Sequence, residues 1–487
     1  MSPLPEELIS EIMMLLDSYS ILQMALSCRS FHETFLTKPI RYIYELGLNG
    51  MQDAGSNKPP DELLVLLRDR QRRWVELDWK SVHVVKAPGN RLFPKLAAGT
   101  LSYSDGTDLF VLYLPSARNP GHALHRTSLD FKIHDFAIDP SQDLVVVLEA
   151  IELPSRDRRL SLHCRTISTN LAHPKAAQGV LSFTIPNHPL GDQLWKVRLQ
   201  IADDVCAFHS GDRVRPRLLL WNWNMGLLLF DSLDEVLPDY IETFNFLRRD
   251  AFTLTSSISG GLIHVYLFSP VALANPILIA SLALPLPAPS YTVASLWTPS
   301  VHLQQHPMPE ALFTHSTETR THVFSVIYRA SFDLSLPSKL YFFFIRNLTF
   351  LQYVDGPEIA PELQVVSWEQ WGENESRFIP MAPGTWSLDA HGDRVVLYQP
   401  RRNTIDLLDF SCGTPYLASP EHKRYGRDKP TTLKCGGIFT KDIVTRLPYH
   451  SASKAMPLDL HKKMIDEERI VALNQTDDRT ELRVYSF

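Results

Sequence analysis

Cysteine is scarce and scattered: five (Cys28, Cys164, Cys206, Cys412 and Cys435) stand among 487 residues, with no C-x-x-C and no histidine at zinc-ligand spacing beside them. That rules out a disulfide-stapled or zinc-ribbon scaffold and fits reduced thiols, so residence in the cytosol or nucleus is expected. A signal peptide would need a basic start and an unbroken apolar core, and Glu6, Glu7, Glu11 and Asp17 occupy that region instead. The sequons at Asn347, Asn374 and Asn474 then read as chance matches. No G-x-S-x-G elbow, H-E-x-x-H, Walker A or G-x-G-x-x-G is present, so no catalytic class is legible and no cofactor or metal is expected. A formal net charge of −6 gives no bulk attraction to nucleic acid or an anionic membrane.

Charge is also missing locally. Between Asp250 and Glu310 there is no Asp, Glu, Lys or Arg. A membrane span needs about 20 consecutive apolar residues, and Pro270, Pro276, Pro285, Pro287 and Pro289 cut this stretch into shorter pieces. Two core strands and a proline-rich loop are expected here. An exposed apolar surface for a partner is the functional alternative.

What is present begins with helical spacing. Leu4, Leu8, Ile12 and Leu15/Leu16 share one face, Pro5 suits the first helical position, and Glu6 and Glu7 favour the positive end of the helix dipole. Asp17-Ser18-Tyr19-Ser20 offers caps for a second helix with Ile21, Leu22, Ala25, Leu26 and Cys28; a third runs around Phe31–Leu36 until Pro39 interrupts it. Some 40 residues without metal or disulfide bury little of their own apolar surface, so this surplus of Leu, Ile and Met asks for a partner surface. A helical cap packed on the rest of the protein is the plainer reading.

Leu4-Pro5-x-x-Leu8, followed by Leu22-x-x-Ala25-Leu26-x-Cys28-Arg29-x-Phe31, resembles the F-box, with Pro39-Ile40-Arg41-Tyr42 where that family often has a closing Trp. The resemblance implies a non-catalytic substrate receptor of an SCF-type cullin–RING ubiquitin ligase. It further implies that Leu4, Pro5, Leu8, Ile12, Leu15, Leu22, Leu26, Cys28 and Phe31 bind a Skp-type adaptor. A non-ubiquitinating F-box scaffold and a propeller enzyme with a helical cap are the rival readings.

Beyond a turn-rich linker at 49–60, Asp61–Trp74 reads as one helix with Leu64, Leu67, Gln71 and Trp74 on a face, its arginines a solvated end rather than an anion site. From about Val82, strand-length apolar runs such as Leu144–Leu148, Leu218–Trp223 and Leu340–Ile345 alternate with Gly, Asp, Pro and Ser. Gly-Asp-Arg-Val recurs at 211–214 and 392–395, and Phe136–Val145 has a similar outline of strand, polar turn and strand. The expected fold is therefore α plus all-β: an F-box-like helical domain at 1–48, a linker with one amphipathic helix at 49–80, and a seven-bladed β-propeller at 81–487 that presents the substrate surface. The strand ending at Phe487 should close the ring, since an open sheet of this size would leave bare edges. A pair of β-sandwiches is the structural runner-up. Arg213, Arg215 and Arg217 form a basic loop that is a weak candidate for substrate binding. His422–Lys429 reads as a charged loop, His122 and His125 as solvated histidines, and Asp477-Asp478 as a hairpin turn.

Overall fold

The computed structural model describes residues 4–487 except 89–93, 120, 122, 156, 186–196, 211–215, 234–236, 239, 300–302, 304–305, 309, 332–337, 357–364, 382–386, 400–402, 412–422, 457–461 and 476–479. Four short helices come first: α1 (Glu6–Met14), α2 (Ser18–Ser27), α3 (Arg29–Phe35) and α4 (Lys38–Leu48). Asp17 caps α2 as its sequence suggests, accepting the Ser20 amide at 2.9 Å, and that bond holds its carboxyl below the ordinary range. Pro39 does not end the helical region. It sits in the first turn of α4, where its missing N–H is harmless, and Ile40, Tyr42 and Leu46 bury one face of that helix.

Seven sheets, antiparallel but for a short parallel addition (Val365–Val366) at the edge of the fourth, follow in a ring, each starting from an innermost strand: Lys95–Ala97, Ile133–Asp139, Val197–Ala202, Ile241–Arg248, Tyr291–Trp297, Ser387–His391 and Lys462–Ile465 for blades I to VII. Blades I to VI take their strands in chain order, apart from short additions. Blade VII does not. Its outermost strand is Ser81–Ala87, which pairs with Thr480–Ser486 from Ser81↔Ser486 to Ala87↔Thr480. The first strand of the ring therefore completes the last blade, and no sheet is left open at the join.

Apolar clusters lie between blades. Leu144, Val146 and Leu148 of blade II pack on Phe208, Leu219 and Trp221 of blade III, and Phe244, Phe246 and Phe252 of blade IV pack on Leu218 and Leu220. The charge-free stretch supplies four strands to blades IV and V, Ala251–Ser256, Leu262–Leu267, Ile277–Ala283 and Tyr291–Trp297, where two were expected. Half of their side chains belong to such clusters, and Thr253, Thr255, Ser256, His264 and Ser281 are buried as well, which leaves little place for charge on these strands. The two Gly-Asp-Arg-Val segments are not equivalent: 211–214, outside the described residues, falls in the sequence between the second and third strands of blade III, and 392–395 joins the first and second of blade VI. Phe136–Val145, at the first turn of blade II, is the true counterpart of the later copy.

Arg377, fully buried in blade V, pins an insertion of blade VI. Its guanidinium donates to the carbonyls of Leu447 (2.7 Å), Lys429 (3.0 Å) and Thr445 (3.2 Å) and lies over the Tyr449 ring at 5.2 Å.

Candidate functional site

The site is built from the outward rows of α1 and α2. Inward, Ile9 and Met13 meet Ile21, Ala25, Phe35 and Ile40 in a small core, with Leu16 and Phe31 packed against it. Outward, Leu4, Leu8 and Ile12 follow one another at every fourth position, and Leu15 is 88% exposed. On α2, Leu26 is 69% exposed and Leu22 half-buried. Pro5 and Cys28 are exposed, the latter at the start of α3, while Phe31 is half-buried. Leu8 and Ile12 thus lie on α1, with Leu4 just before its N-cap and Leu15 at its C-cap, Leu22 and Leu26 one turn apart on the next helix, and Phe31 belongs partly to the core. An apolar row of this length is unusual on a surface unless something covers it.

This surface is fixed to the ring by α4, a short strand and one long helix. The strand, Met51–Asp53, pairs with Phe313–His315 of a blade V excursion, and the Tyr42 hydroxyl donates to Asp53 at 2.7 Å. Helix α5 (Pro60–Glu76) buries Leu63, Leu64 and Leu67 against Leu312 and Phe313. Arg68 clasps Glu45 of α4 through two bonds of 2.8 and 2.6 Å. At its far end Trp74 stacks on Phe487, ring centres 3.8 Å apart, with the Arg394 guanidinium 4.6 Å above its other face. The shared face of Leu64, Leu67, Gln71 and Trp74 is present as read, Gln71 accepting from Arg394 at 2.9 Å. The arginines are not simply solvated. Arg72 and Arg73 pair with Asp69, Glu76 and Asp78, and Arg70 is buried against Glu467 at 2.9 Å.

Arg70 belongs to a polar cluster that the sequence did not signal, because its members come from four distant segments. His391 meets Glu467 at 2.9 Å, His315 lies 3.9 Å from the same carboxylate, and Arg394 faces His315 at 3.5 Å. Burial alone would raise Glu467, but His315, His391 and Arg70 hold it well below the carboxylate range; burial pushes His315 down to about 3. Two imidazoles and a carboxylate have the composition of a metal site. Two fixed guanidinium groups already surround them, so the arrangement suits an ionic lock between helix and ring better than a divalent cation.

Behind this lock, Asp393 is buried beside Asp409, and burial raises its carboxyl to about 7 despite Arg346 and the Thr321 hydroxyl. A carboxyl whose pKa is raised in the folded state contributes stability below about 4, its unfolded value, and loses it as pH rises through about 7. Asp393→Asn is therefore expected to melt increasingly above the parent as pH goes from 5 to 7.5. A difference independent of pH in thermal melts would refute the assignment.

Of the basic loop, Arg213 and Arg215 lie outside the described residues. Arg217 is buried, bonded to Asp231 at 2.7 and 3.1 Å and to the Thr184 carbonyl, so its guanidinium points into the blade. His122 and the Asp477-Asp478 turn also lie outside the described residues, and Asn347 is buried, which removes it as a glycosylation acceptor. Among the described residues no helix is long and apolar enough to cross a membrane.

Residues 1–42 match the family model of the F-box domain. No curated protein matches the chain. Similar solved structures include the uncharacterized protein lmo1340 from Listeria monocytogenes EGD-e, at 11% identity over 81% of this chain and 92% of that one with a TM-score of 0.39. Another is the WD40 domain of SCAP from fission yeast, at 9% identity over 84% and 82% with a TM-score of 0.33.

Proposed function

With an F-box at residues 1–42 followed by a seven-bladed β-propeller as the premise, we propose that the protein is the substrate receptor of an SCF-type cullin–RING ubiquitin ligase. That architecture fits F-box substrate receptors in general, which are typically non-catalytic. The Skp-type adaptor covers Leu4, Pro5, Leu8, Ile12, Leu15, Leu22, Leu26, Cys28 and Phe31. The observation that carries this reading is the exposed apolar row on α1 within the segment that matches the F-box. The propeller holds the target, in the cytosol or nucleus, and raises the effective concentration of its lysines at the ligase. Apolar residues exposed around the charge-free stretch, Val271, Leu273 and Leu286, are the preferred target contacts.

The test is co-purification with purified adaptor and cullin. Leu8→Asp with Leu15→Asp should abolish binding, since removing one interface anchor typically costs about 2 kcal/mol, roughly thirtyfold in affinity. Both side chains already face solvent, so the melting temperature should hold. Unchanged co-purification would overturn the assignment, and recovery of adaptor without cullin would favour a non-ubiquitinating scaffold.

A further inference from the structure

A channel of about 520 Å³ runs through the ring, lined by innermost strands of six blades. Its charged side chains are unevenly distributed. Lys95 and Lys462 each open their strand, and Arg198 is the second residue of its own. Innermost strands of a propeller run in one direction, so these three cations gather toward one mouth. The connection that follows Trp297 starts beside Arg198, which donates to the Thr298 carbonyl, and its later described residues reach the far ends of the innermost strands. There Leu303 is buried beside Ala202 and Val205, His306 meets Asp203 at 3.1 Å, and the Glu310 carbonyl accepts from Arg118 of blade I.

The cations are not equally occupied. Lys95 is bonded to Asp135 at 2.6 Å, and Arg198 donates to the Thr298 carbonyl at 2.7 Å while lying 5.3 Å from the Trp297 ring. The Lys462 ammonium has no hydrogen-bond partner among the described residues. Among the described lining residues Asp389 is the one carboxylate, and its Oδ2 already accepts the Ile465 amide at 2.9 Å. Burial raises Asp389 to about 6 and lowers Lys462, with Lys95 adding to the lowering. Three cations share this cavity with two nearby carboxylates, Asp135 on Lys95 and Asp389 beside Lys462, and such a surplus is offset by an anion placed among them.

We propose that the channel binds a small phosphate-bearing molecule, its oxyanion held by Lys462, Lys95 and Arg198 and any organic portion resting on Trp297 and Met464. The volume falls in the range of small-ligand sites, about 300–1,000 Å³. The proposal does not depend on the F-box reading, because none of these residues touches the helices.

The experiment is a thermal melt of the full chain with pyrophosphate or AMP, ionic strength matched with sodium chloride. At saturating ligand a rise of about 3 °C or more is expected. A response to pyrophosphate alone identifies an inorganic oxyanion, and a stronger response to AMP identifies an organic phosphate using Trp297. Lys462→Gln should abolish the shift and weaken binding at least about tenfold by calorimetry. It breaks no bond in the apo protein, so its own melt should not fall. Lys86→Gln, exposed on the outer strand of blade VII, should behave as the parent. No rise with either compound, or a rise undiminished in Lys462→Gln, would overturn the proposal.

Discussion

A chain lacking Leu482–Phe487 is expected to be recovered as aggregate, or to melt far below the parent. The deletion removes most of the strand that Ser81–Ala87 pairs with and also strips one side of Arg469–Gln475. Leu482, Val484, Tyr485 and Phe487 are all buried, and burying each large apolar side chain contributes about 1.5–3 kcal/mol, roughly 6–12 in total. A whole domain is stable by only about 5–15 kcal/mol. The same cut leaves two blade edges bare, which is a template for association. Soluble yield and a melting curve read the outcome, and an unchanged transition in soluble protein would mean that the ring does not close through this strand.

Trp74→Ala should show the second-largest effect, and it tests the attachment of the helices to the ring. The indole is fully buried between Phe487 and the Arg394 guanidinium. Truncating a buried Trp typically costs about 3–5 kcal/mol, and here it also leaves Arg394 without its aromatic cover. Arg394 remains bonded to Asp409 and Gln71, so the blade itself should persist. Urea melts should shift strongly, and small-angle scattering should detect a looser arrangement of helices and ring. A small shift with unaltered scattering would show that Leu63, Leu64 and Leu67 and the Arg70–Glu467 pair hold α5 without it.

The strands were legible because their signal is local. Leu144–Leu148 and Leu340–Ile345 announce themselves by length and flanking turn residues, and closure through Phe487 follows from the cost of an open edge. The outward row on α1 was legible as helical spacing, although spacing alone does not tell which face looks inward. The inner face is Ile9 and Met13, one position along from Leu8 and Ile12. Helix α4 was missed because Pro39 was read as a stop, and the spacing of Ile40, Ile43 and Leu46 was the signal available. The true repeat was misplaced because Gly-Asp-Arg-Val suits any tight hairpin, whichever two strands it joins. The lock of Arg70, His315, His391 and Glu467 and the cations of the channel were out of reach. Each draws residues from separate blades, and no periodicity in a single chain records which blades face each other.

The pairing of Ser81–Ala87 with Thr480–Ser486 also sets a timetable for synthesis. About 400 residues separate Ser81 from Ser486. A ribosome adding about 5–20 residues per second needs roughly 20–80 s to cover that distance. Throughout that interval the strand bearing Val82, Val84 and Val85 waits without its neighbour, while the small helical domain ahead of it has long since emerged. The nascent chain therefore passes through a long window in which its N-terminal helices are available to a partner and its ring is still open to chaperones.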